Sequence, residues 1–107
     1  MDTVTAVSGS GPAYVFYLME SLENAAVLGG LDRESARSLV SQTILGSAEL
    51  ARASDVEPKV LRERVTSPRG TTEAAIKVLD ADGVPESLER AVAAGIARGA
   101  ELRDPAS

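Results

Sequence analysis

Seven residues of this 107-residue chain, Thr66-Ser67-Pro68-Arg69-Gly70-Thr71-Thr72, set four hydroxyls, a proline and a glycine just ahead of a helical apolar pattern. The first N–H groups of a helix lack intrahelical partners and carry partial positive charge, so such a start can hold a carboxylate or phosphate without a charged side chain. Gly70 lets the backbone come close. The hydroxyls of Ser67, Thr71 and Thr72 can bond either an anion or a neutral ligand nitrogen. A second segment, Ser8-Gly9-Ser10-Gly11-Pro12, has the same form near the start of the chain. Each also has a purely structural reading. Gly70 and Glu73 stand in an N-cap and N3 relation like that of a capping box, and the Ser8 segment could be a flexible entry into a helix.

The missing residue types narrow the chemistry. With no Cys and no His, disulfides, thiolate nucleophiles, the usual zinc sites and imidazole acid–base catalysis are excluded. No metal or cofactor ligands are expected within the chain. The net charge of −5 lacks the clustered Lys and Arg that bind nucleic acid by displacing counterions. Met1-Asp2-Thr3-Val4-Thr5 does not read as a signal peptide, and no apolar run approaches the roughly 20 residues of a membrane span. These features predict a cytoplasmic protein.

The helices that must position the two segments are legible. Pro12 suits the first turn of a helix running to Leu28, whose residues Tyr14 to Met19 are apolar almost all round and should be buried on several sides. Gly29-Gly30 can close it. Asp32 is an N-cap for a second helix to about Ala53, with Ala36, Leu39, Val40, Thr43, Ile44 and Ser47 recurring at helical spacing. A short helix from Pro58 to Val65 leads to the turn. Beyond it a helix from Thr71 to Ala81 turns Ala74, Ala75, Val78 and Leu79 inward, and Gly83 ends it. The last helix, Pro85 to Leu102, repeats Leu88, Val92, Gly95, Gly99 and Leu102 in a heptad-like seam. Its glycines permit close approach of a helix from the same chain or from a second subunit. With no alternating strand pattern, the fold class is all-α, a bundle of about five helices in one domain spanning residues 1–107. Only 3% of residues are aromatic, so the alanine-rich core is small and a second copy is expected to complete it.

Taken together, Ser8-Gly9-Ser10-Gly11-Pro12-Ala13-Tyr14-Val15-Phe16 and Val65-Thr66-Ser67-Pro68-Arg69-Gly70-Thr71-Thr72 closely resemble the C-terminal domain of pyrroline-5-carboxylate reductases. The likeness extends over nearly the whole chain, through Gly30-Leu31, Gln42-Thr43, Leu45-Gly46, Val78-Leu79 and Gly83. It implies an interlocked homodimer, often assembled further into a decamer. It also implies an enzyme that reduces 1-pyrroline-5-carboxylate to L-proline, with NADPH or NADH held by an N-terminal Rossmann domain. By the same resemblance Ser67 and the backbone N–H groups of Gly70 and Thr71 cradle the substrate carboxylate. Thr72 meets the ring nitrogen and orients the C=N carbon.

Arg69 departs from the pattern, which has a second glycine there. If that position has positive φ, arginine strains the turn; its guanidinium could point to solvent, pair with a carboxylate or fill the pocket. No Gly-rich turn follows a strand, so the Rossmann domain is expected to be absent from this chain. The chain alone is then expected to be inactive and to bind no cofactor. Two alternatives stay open: a purely structural oligomerisation module with a lost site, and a related two-domain reductase with another substrate.

Overall fold

The computed structural model describes residues 2–103. A short helical turn α1 (Asp2–Val4) passes into a π turn (Thr5–Gly9), followed by α2 (Gly11–Leu28), α3 (Arg33–Ala53), α4 (Pro58–Arg64), α5 (Thr71–Ala81) and α6 (Val84–Arg103). There is no strand among the described residues. The fold is all-α, and α2 to α6 are the five helices read from the sequence, each with ends within a residue or so of the expected ones. None is long and apolar enough to cross a membrane.

Contacts divide the described residues into two compact units, one joining the stretch up to Ala13 with the chain from Ser67 onward, the other Tyr14–Thr66. In the first unit both the N-terminal turns and α5 pack on α6. Arg103 at the end of α6 hydrogen-bonds Asp2. A Cβ on Gly99 would stand 3.5 Å from Asp2 Oδ1, an ordinary contact distance, so Gly99 lies against an element of its own chain. Gly83, at φ +72°, turns the chain from α5 into α6, a conformation that favours glycine.

In the second unit the end of α2 is closed by two hydrogen bonds, Leu31 N–H to Ala26 O at 3.1 Å and Gly30 N–H to Val27 O at 3.0 Å. This is the Schellman pattern, with Gly30 at φ +113°. Two polar links tie α3 back to α2: Arg33 donates to Asn24 at 2.9 Å, and Arg37 pairs with Glu23 at 3.7 Å. Asp32 caps α3 by accepting from Ser35 N–H at 3.1 Å. The hydrogen bonds from Ser35 hold its carboxyl below the usual carboxylate range. A carboxylate depressed by folding stabilises above its unfolded pKa, about 3.9, and that contribution is lost as pH falls through the lower folded value. Asp32→Ala should therefore melt below wild type at pH 7, with the gap closing below about pH 4. Asp32→Asn, which keeps a capping oxygen, should lose less at pH 7. Melting curves across pH check both.

Burial is where sequence and structure part. Among the described residues only Ala6, Ala36 and Val40 are buried apolar side chains. The expected burial of the first half of α2 is not met within one chain: Val15, Phe16, Tyr17 and Leu18 are 40%, 66%, 74% and 49% exposed. Val78 and Leu79, read as inward-facing, are also exposed, as are Ala74 and Ala75. The apolar stripes are present, but their own units leave them uncovered.

Candidate functional site

Ser67-Pro68-Arg69-Gly70 is a reverse turn closed by Gly70 N–H donating to Ser67 O at 3.0 Å. Proline at its second position and a positive φ at its third are the marks of a type II turn, whose third position favours glycine. Arg69 occupies it at φ +62°, the only non-glycine with positive φ among the described residues. The conformation inferred from the missing glycine is thus present, and the arginine is exposed. Gly70 follows in extended conformation, φ −88° and ψ 179°. A Cβ there would lie 3.1 Å from Ser67 O, so the turn is tight against its own carbonyl.

Gly70 is the N-cap of α5, but no side chain caps the helix. Glu73 pairs forward with Lys77 at 3.4 Å, so the reciprocal capping box does not close. Ala74 N–H, donating to Gly70 O at 3.2 Å, makes the first intrahelical bond. The N–H groups of Thr71, Thr72 and Glu73 therefore have no intrahelical partner. Among the described residues the hydroxyls of Ser67, Thr71 and Thr72 also lack hydrogen-bond partners. Ser67 and Thr71 are exposed and Thr72 half-buried.

The four expected site residues, Ser67, Gly70, Thr71 and Thr72, thus lie together around the start of an eleven-residue helix. One assignment shifts. Gly70 N–H is used inside the turn, so the open donors are those of Thr71, Thr72 and Glu73, and Glu73 is the addition. A Ser-Pro-x-Gly string signals the turn, but that it consumes the Gly70 N–H is shown only by the bond to Ser67 O. Thr66 stands apart, its hydroxyl donating to Arg62 O at 2.6 Å.

The Ser8 segment leads into the helix start expected of it, α2 opening at Gly11, but a π turn not expected from the sequence precedes it. Ser10 N–H donates to Thr5 O at 2.9 Å, the five-residue step of a π turn, and Ser10 itself is helical at φ −87° and ψ −17°. Ser8 Oγ donates to Val4 O at 2.8 Å. The π turn thus runs up to a bend at Ser10, and α2 opens directly behind it at Gly11. Among the described residues no three His, Cys, Asp or Glu gather as a metal site.

An all-α domain with unpaired apolar helix faces and a hydroxyl-lined helix start belongs to the class of helical domains that complete a larger assembly. The chain belongs to the pyrroline-5-carboxylate reductase dimerisation family, whose model matches residues 1–102. It is 54% identical over 104 residues to the pyrroline-5-carboxylate reductase of Pseudomonas aeruginosa, covering 97% of this chain and 38% of that protein. Identity to the Arabidopsis thaliana pyrroline-5-carboxylate reductase is 46%, covering 94% of this chain and 37% of that protein. Among solved structures, a Coxiella burnetii pyrroline-5-carboxylate reductase matches with a TM-score of 0.93 at 45% identity, over 96% of this chain and 38% of that one. The Plasmodium falciparum pyrroline carboxylate reductase with NADP bound matches at 0.89 and 40% identity, over 92% and 37%. The chain spans 37–38% of the length of these relatives.

Proposed function

We propose that this chain is the dimerisation and substrate-binding domain of a cytoplasmic pyrroline-5-carboxylate reductase, the enzyme that reduces 1-pyrroline-5-carboxylate to L-proline with NADPH or NADH. The observation that carries the reading is the turn at Ser67–Gly70 opening into α5 with three N–H groups free of intrahelical partners, in a chain of this family. A substrate carboxylate would take the N–H groups of Thr71, Thr72 and Glu73 together with the Ser67 and Thr71 hydroxyls. Thr72 Oγ1 would hydrogen-bond the ring nitrogen and fix the C=N carbon for reduction. Gly70 serves by letting the turn close.

The described residues do not fit a dinucleotide: they form no strand and no strand–turn–helix unit. The nicotinamide nucleotide is therefore assigned to a Rossmann domain outside this stretch; a solved relative carries bound NADP. Two copies of the chain pair as a homodimer, and dimers assemble further into a decamer.

The purely structural alternative has one observation in its favour, the exposed Arg69 in the strained position of the turn. Joining this chain to the part of the Pseudomonas aeruginosa relative that it does not cover separates the readings. The chimera should reduce 1-pyrroline-5-carboxylate with NADPH, while the 107-residue chain alone should not. A folded, dimeric chimera without turnover contradicts the proposal and supports the lost-site module.

A further inference from the structure

We infer that Arg69 sets the charge specificity of the turn: it draws a net-anionic ring carboxylate to the start of α5 and favours it over a zwitterion such as L-proline. The inference rests on the carboxylate reading of that helix start and goes beyond it, since that reading uses only N–H groups and hydroxyls. In the unit that contains the turn, the other cationic side chains described are all engaged. Lys77 pairs with Glu73, Arg90 donates to Ser87, Arg98 pairs with Glu101, and Arg103 pairs with Asp2. Arg69 alone has no hydrogen-bond or ion-pair partner among the described residues.

From Thr66 to Ile76 the only charged residues are Arg69 and Glu73. Glu73 stands in the first turn of α5, where a free carboxylate would repel an anion, but Lys77 at 3.4 Å offsets its charge. One uncompensated positive charge therefore remains beside the open N–H groups, in a chain of net charge −5. It is also kept at φ +62°, against the preference of that position for glycine, as residues that hold ligands often are. With its imine neutral, 1-pyrroline-5-carboxylate is a net anion, whereas the ammonium of L-proline cancels its carboxylate. A screened Coulomb attraction acts on the first in full and on the second only in part. Arg69 thereby favours substrate entry over product retention.

Amide shifts of Thr71, Thr72 and Glu73 in the labelled chain test the inference, with cyclopentanecarboxylate, a ring carboxylate without nitrogen, and L-proline as the two ligands. At about 10 mM salt, where the Debye length is about 30 Å, Arg69→Gln should weaken cyclopentanecarboxylate by roughly 3- to 10-fold and L-proline by less than about 2-fold. At about 1 M salt, with a Debye length of about 3 Å, wild type and Arg69→Gln should converge. Arg69→Lys should stay near wild type, because a point charge suffices for this role. In the chimera the loss should fall on KM for 1-pyrroline-5-carboxylate rather than on kcat. Unchanged affinity in Arg69→Gln, equal weakening of both ligands, a difference that survives high salt, or a lysine variant as weak as the glutamine one overturns the inference and leaves the carboxylate reading intact. A wild-type chain that binds neither ligand overturns both.

Discussion

Replacing Arg69 with glycine should raise the Tm of this chain by roughly 4 °C. Arg69 is held at φ +62°, where a side chain costs about 1–2 kcal/mol through the clash of Cβ with the following carbonyl. Glycine removes that strain but gives the unfolded chain more freedom, which offsets about 0.4–1 kcal/mol. A net gain near 1 kcal/mol remains, and for about a hundred residues that corresponds to the stated shift. Arg69→Ala keeps the Cβ and should give no gain. Arg69→Asn should fall between, since asparagine tolerates this region better. A rise in Arg69→Ala equal to that in Arg69→Gly would assign the effect to the lost guanidinium instead of the backbone.

The second large effect is expected at Thr72 in the assembled reductase. Thr72→Val keeps the shape of the side chain and its place in the first turn of α5 but removes the hydroxyl proposed to meet the ring nitrogen. The nitrogen gains negative charge as hydride reaches the C=N carbon, and one hydrogen bond to a charged group is worth about 1.5–3 kcal/mol, so kcat/KM should fall by roughly 10- to 100-fold. Thr72→Ser should recover most of it. Equal loss in the valine and serine variants would point to packing and remove Thr72 from the catalytic role.

Local structure was the most legible part of this chain because it is carried by residues with strong backbone preferences. Asp32 caps α3, Gly30 takes the left-handed position after α2, and Thr71 opens α5 as read. The helical turns over Asp2–Gly9 were not foreseen. Thr3, Val4, Thr5, Val7, Ser8 and Gly9 are poor helix formers, and only packing on α6, with Ala6 buried, overrides that preference. The candidate site was legible as a hydroxyl-rich helix start, and its tight turn as Ser-Pro-x-Gly. Which N–H remains open was not, because that depends on the bond between Gly70 and Ser67. The core was misread for a different reason. Periodicity reports which face of α2 or α5 avoids water, yet it is silent on whether the covering surface lies in the same chain.

The most direct test of the central claim, that the turn before α5 holds the substrate carboxylate, is a titration of the isotopically labelled chain with L-proline, read by amide chemical shifts. The account predicts saturable shifts at Thr71, Thr72 and Glu73, with a smaller change at Gly70, whose N–H is already bonded to Ser67 O. An unmoved first turn of α5 at high proline concentration, or saturable shifts confined to other helices, would contradict it.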